Sequence, residues 1–133
     1  MKKVLTVGVF DYFHLGHLRL FKQCKAHGDY LIVAVQDGSY ILKYKPYAKV
    51  LYSTNERIEM LEALRTVDEV IVYQDVDKIV KEVDFDVFAI GEDQTHNGFI
   101  TAADWCIKNK KEIVRLKRTE GISSSNIKQN IGK

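Results

Sequence analysis

Two short apolar runs stand near the start of the chain, at 3–9 (KVLTVGV) and 29–35 (DYLIVAV). Continuous runs of this length, with no alternating polar face, suit strands covered on both sides, as in a parallel sheet. Between them, Leu18, Phe21, Cys24 and Lys25 follow helical spacing, and Gly28 stands where a helix stop belongs, which predicts a helix over about 16–27. The opening is therefore a strand, a helix and a second strand.

Residues 36–52 (QDGSYILKYKPYAKVLY) have no clean period and are expected to form a long loop, of the kind that tends to be functional in a compact domain. Ser53 precedes Glu56 by three, a capping-box signature, and Ile58, Leu61 and Leu64 continue a helix over about 54–65. DEVIVY, VDFDVFAIG and KEIVRLK read as further strands. Helical patterns near 76–83 and 99–110 separate them, and SSSNIKQNI reads as a capped final helix. Such alternation predicts one α/β domain over 1–133, a Rossmann-like doubly wound parallel sheet of about five strands with helices on both faces.

Composition narrows the function without choosing it. The 133 residues suit a single core, and 46% hydrophobic with 29% charged residues fits a globular chain with neither a disordered tail nor a membrane span. Twenty basic against 18 acidic residues give a net charge of +2, so no broad field recruits nucleic acid or a membrane surface. Cys24 and Cys106 belong to no metal-binding or redox spacing, and reduced thiols in a cytoplasmic protein are expected. The basic start MKKVLTVGVF is too short an apolar run for a signal peptide and reads as the first strand.

The chemistry gathers after that strand, in VFDYFHLGHLRLF. Ligands of parallel α/β sheets collect outside the carboxyl ends of the strands. There His14 and His17 flank Gly16 at the start of a helix, whose free N–H groups and dipole would favour an anion. The same H-x-x-H spacing also suits plain hydrogen bonding at a helix end. A shared metal is a third reading, for which no further His or Cys lies nearby in sequence.

GVFDYFHLGH resembles the signature of the H-x-G-H nucleotidyltransferase superfamily, and RTEGISSS at 118–125 resembles the second motif of its cytidylyltransferases. GDYLIVAV, NERIEMLEALRTVDEV and DVFAIGEDQ extend the likeness along the chain, which is most similar to the short glycerol-3-phosphate cytidylyltransferases. The resemblance implies transfer of CMP from CTP to a phosphorylated alcohol, with Mg²⁺ accompanying the triphosphate and no fixed protein ligands for the metal. It assigns catalytic roles to His14, His17 and Arg118 and a phosphate-bridging role to Lys43 or Lys45. The nucleotide would lie along Val9, Phe10, Asp11, Gly16, Asp93, Thr119, Gly121, Ile122, Ser123 and Ser124. Arg57 and Arg65, two turns apart on one helix face, would meet the acceptor phosphate. Relatives of this kind pair through the RTVDEV segment, so a homodimer is expected.

One stretch departs from the resemblance. Relatives that use glycerol 3-phosphate carry an aromatic after G-D-D, whereas this chain reads GEDQTHNGF, with Gln94 and His96. Phosphocholine or phosphoethanolamine as acceptor, ATP in place of CTP, and a nucleotide-binding module without turnover are the alternatives.

Overall fold

The computed structural model describes residues 1–92 and 94–117. Its first half runs β1 (Lys3–Gly8), α1 (Leu15–Lys25), β2 (Tyr30–Gln36), α2 (Gly38–Tyr44) and α3 (Thr54–Glu62). The second half runs β3 (Glu69–Tyr73), α4 (Val76–Glu82), β4 (Val87–Gly91), α5 (Asn97–Lys108) and β5 (Glu112–Leu116). The five strands form one sheet in the order β3-β2-β1-β4-β5, and every pairing is parallel.

Alternation along β1 explains the layers. Leu5 and Val7 join Ile32, Phe88, Ile90, Val80, Phe99 and Cys106 under α4 and α5. Val4 points to the other face and packs with Phe21, Cys24, Val33, Ala89 and Leu61 under α1 and α3. Both faces are covered, as the unbroken apolar runs predicted.

The VDEV turn is an electrostatic seam as well as a strand start. Asp68 accepts a hydrogen bond from the Leu31 N–H at 2.8 Å and pairs with Lys25, while Glu69 accepts from the Tyr30 hydroxyl at 2.9 Å. These contacts fix the entries of β2 and β3 side by side.

Three boundaries differ from the sequence reading. The expected loop 36–52 contains α2, because Asp37 caps two helical turns by accepting from the Ser39 N–H at 3.0 Å. A seven-residue helix is too short to show a period, and the Asp-Gly-Ser start was its only signal. Helix α3 ends at Glu62, which leaves Arg65 in the turn before β3 and off any face shared with Arg57. β4 starts at Val87 because Asp86 is engaged at the strand edge, where its carboxylate accepts from the Lys3 N–H at 2.8 Å. The expected helix over SSSNIKQNI lies outside the described residues.

Candidate active site

The loop from β1 to α1 is built under strain. Phe10 (φ 54°) and Tyr12 (φ 51°) both occupy the left-handed region, where side chains beyond glycine are uncommon and which recurs at functional sites. Phe10 turns its ring back over Gly8, so close that a Cβ there would lie 2.8 Å from Cζ. The ring meets Phe21 at 5.2 Å and the edge of His17 at 5.3 Å between centroids. Gly8 is thus the space into which Phe10 folds, and Phe10 is one wall of the histidine site.

The H-x-G-H spacing has a local cause. His14 is the N-cap of α1, and its Nδ1 accepts from the Gly16 N–H at 3.0 Å. His17, three residues on, completes a capping box, its Nδ1 accepting from the His14 N–H at 3.3 Å. The rings stack with centroids 3.8 Å apart and planes 20° from parallel.

Because each Nδ1 is an acceptor, each imidazole carries its proton on Nε2. Burial, and secondly the neighbouring His14, pull the His17 pKa down to about 4, so this ring is neutral at pH 7. The backbone therefore holds two Nε2–H donors at the helix start in one fixed tautomer.

This changes how the helix end would meet an anion. The Gly16 N–H goes to His14 Nδ1, and the His17 and Leu18 N–H groups go to the His14 carbonyl at 3.0 and 3.3 Å. The N–H groups expected to be free are largely occupied, and the imidazoles stand in their place, backed by the dipole of α1.

Behind the histidines lies a buried polar network. Asp11 is 4% exposed, and its carboxylate accepts from the Leu51 N–H at 2.7 Å and the Tyr52 N–H at 3.0 Å. Arg57 is fully buried; its guanidinium donates to the carbonyls of Val9 (2.9 Å), Gln36 (2.8 Å) and Tyr52 (3.3 Å) and to Thr54 Oγ1 (3.3 Å). Burial lowers its pKa, opposed by the charges of Asp11 and Asp37. Arg57 thus joins the loop that follows β1 and the end of β2 to the start of α3. The sequence carried a signal of this, since Arg57 shares an i, i+4, i+7 stripe with Leu61 and Leu64, the buried side of α3.

The remaining candidates stand in exposed positions. Lys43 lies in the last turn of α2, its Nζ over the rings of Tyr40 (4.9 Å) and Tyr44 (5.4 Å); Lys45 caps that helix, and Arg65 is on the turn between α3 and β3. Asp93, Arg118, Thr119, Gly121, Ile122, Ser123 and Ser124 lie outside the described residues. His96 is the N-cap of α5, accepting from the Gly98 N–H at 3.2 Å, a use the sequence reading did not assign. The buried thiols are poor nucleophiles, for burial pushes Cys24 up to about 12 and Cys106 up to about 11.

A parallel five-stranded sheet with a histidine-capped helix at the carboxyl end of its first strand defines a Rossmann-like nucleotide-binding domain. The chain belongs to the cytidylyltransferase-like family, whose pattern it matches over residues 5–130. It is 38% identical over 134 residues to the glycerol-3-phosphate cytidylyltransferase of Bacillus subtilis (strain 168), covering 98% of both chains. It is also 34% identical over 128 residues to the FAD synthase of Ferroglobus placidus, covering 90% of this chain and 79% of that one. A crystal structure of the lipopolysaccharide core biosynthesis protein from Thermoplasma volcanium superposes with a TM-score of 0.77 at 29% identity, covering 90% of this chain and 99% of the other.

Proposed function

We propose that this protein is a nucleotidyltransferase that moves the cytidylyl group of CTP onto the phosphate of glycerol 3-phosphate and releases pyrophosphate. A phosphate oxygen of the acceptor attacks the α-phosphorus of CTP; the new P–O bond forms as the bond to the β-phosphate oxygen breaks, and the electron pair leaves with pyrophosphate. An acceptor phosphate has a second pKa of about 6, so it arrives mostly as the dianion and needs no general base. What the reaction asks of the protein is alignment and hydrogen-bond donors where negative charge builds up.

The observation that carries this reading is the capped histidine pair. Nε2–H donors at the start of α1, pinned by main-chain N–H groups, are preorganised for an anion and need no rearrangement as the reaction proceeds. The whole-chain similarity to enzymes named glycerol-3-phosphate cytidylyltransferase supports both substrates. Arg118 and the serines at 123 and 124 complete the phosphate contacts in this reading, with Lys43 or Lys45 bridging the two substrates. Mg²⁺ comes as the counter-ion of CTP and keeps several of its waters.

The protein is further proposed to act as a cytoplasmic homodimer through the RTVDEV segment, which leads into the edge strand β3. Val72 on that edge strand is 41% exposed, and no helix among the described residues is long and apolar enough to cross a membrane. ATP is the second nucleotide to test, because relatives named FAD synthase match most of the chain.

The experiment is pyrophosphate release with CTP or ATP, each paired with glycerol 3-phosphate, phosphocholine or phosphoethanolamine. Turnover with CTP and glycerol 3-phosphate is expected. Turnover confined to ATP, or to another acceptor, would replace that part of the assignment.

A further inference from the structure

The sheet is not equally closed at all its seams. β1 pairs with β2 over six residues, from Lys3↔Tyr30 to Gly8↔Val35, and β4 pairs with β5 up to Gly91↔Leu116. Between the central strands β1 and β4 the ladder stops after Val4↔Val87 and Leu5↔Phe88. β1 and β4 therefore part towards their carboxyl ends, at the point where the strand order reverses direction and α/β sheets open a ligand crevice.

A side chain stands in the opening. Gln94 Oε1 accepts from the Gly91 N–H at 2.8 Å, and Gln94 Nε2 donates to the Val7 carbonyl at 3.3 Å. The Glu92 N–H is directed at β5, where the Leu116 carbonyl accepts it at 3.0 Å, so the Gly91 N–H is the one turned towards β1. The carboxamide thus acts as a rung between two strands too far apart to bond directly. Its two bonds also fix which end is oxygen and which is nitrogen. A primary amide has two N–H groups and two acceptor sites, so one of each is left for a ligand.

We infer that Gln94 is a specificity-determining residue of the nucleotide site, reading the base of the nucleotide at the β1–β4 crevice. The inference rests on the proposed nucleotidyl transfer. The anionic parts of both substrates are drawn to the Nε2–H groups and the helix dipole at the start of α1. The crevice instead offers the second N–H and the second acceptor site of a neutral carboxamide already anchored to Val7 and Gly91, which suits an uncharged planar ring with in-plane donors and acceptors. An amide of fixed orientation distinguishes bases that exchange donor for acceptor at one position, as a 4-amino and a 4-oxo pyrimidine do.

The test is equilibrium binding of CTP and UTP in Mg²⁺, without acceptor, to the wild-type protein and to Gln94→Glu, Gln94→Asn and Gln94→Ala. Gln94→Glu keeps an acceptor for the Gly91 N–H but loses both amide donors; Gln94→Asn keeps the amide but is one methylene too short to serve both strands. Loss of a single fixed hydrogen bond of this kind is worth about tenfold in affinity. All three variants are expected to bind CTP about tenfold more weakly or worse, with the preference for CTP over UTP reduced by a similar factor. Since Gln94 lies in a loop and is half-buried, the variants are expected to melt cooperatively, and a melt of each confirms that a folded protein is being compared. Unchanged CTP affinity and CTP/UTP preference in folded variants would overturn the role of Gln94, as would variants that alter only the KM for the acceptor. Absence of CTP binding to the wild type would instead overturn the proposed activity itself.

Discussion

Replacing Arg57 with Met separates two accounts of this arginine, a contact for the acceptor phosphate and a clamp behind the site. Met fills a similar volume, but the carbonyls of Val9, Gln36 and Tyr52 lose a buried donor, and Asp11 loses its buried positive neighbour. A buried acceptor left unsatisfied costs about 1–3 kcal/mol. Three carbonyls are affected, and part of their loss is offset because the variant no longer desolvates a cation, leaving about 3–5 kcal/mol net. For a chain of this size, about 3–5 °C accompanies each kcal/mol, so the melting temperature should fall by about 10–20 °C. A lysine in its place would keep the charge without the fork that reaches two loops at once, so Arg57→Lys should fall between Arg57→Met and the wild type. The assay is a thermal melt of the ligand-free protein, followed by circular dichroism. A melt of Arg57→Met within about 2 °C of the wild type, together with a raised KM for the acceptor, would refute the clamp and restore the phosphate contact.

Three further outcomes follow from the site. His17→Ala should cut pyrophosphate release by about 100- to 1000-fold at saturating substrates, the usual loss for one transition-state donor, and near-normal turnover would remove His17 from the chemistry. The His17 pKa of about 4 lies below the unfolded value of about 6.5, so the unfolded state takes up the proton first on acidification. The stability held above pH 6.5 is lost as the pH falls towards 4, by up to about 2–3 kcal/mol for this half-buried ring; the melting-temperature profile of His17→Gln should lack that slope, and parallel profiles would contradict the assignment. Gly8→Ala places a methyl 2.8 Å from Phe10 Cζ, and because Phe10 is wedged against Phe21 and His17 it should cost about 1–3 kcal/mol and slow turnover; an unchanged melt and kcat would show that the ring moves freely.

The candidate site was legible where its geometry is local. The i, i+3 spacing of His14 and His17 is the spacing of an N-cap and its third helical residue, so any helix starting at Leu15 brings the two rings together. The expectation of free N–H groups at that helix start failed because the histidines themselves consume them. The resemblance assigned Arg57 to the acceptor phosphate, whereas its place on the Leu61 and Leu64 stripe pointed inward, where the structure puts it. Helix α2 was missed because two turns carry too few residues to display a period.

The sequence by itself determined the layers and the order of the elements, since unbroken apolar runs at 3–9 and 29–35 and stripes of period 3.6 between strands admit little besides a covered parallel sheet. Which groups meet across the carboxyl ends of the strands was decided only by the tertiary structure. Asp11 joins Leu51 and Tyr52 forty residues away, Arg57 joins Val9 and Gln36, and Gln94 reaches Val7 across 87 residues. Contacts at such separations depend on strand order and on where the β1–β4 ladder opens. Neither is encoded in the period of any one segment; both emerge when every segment buries its apolar face at once.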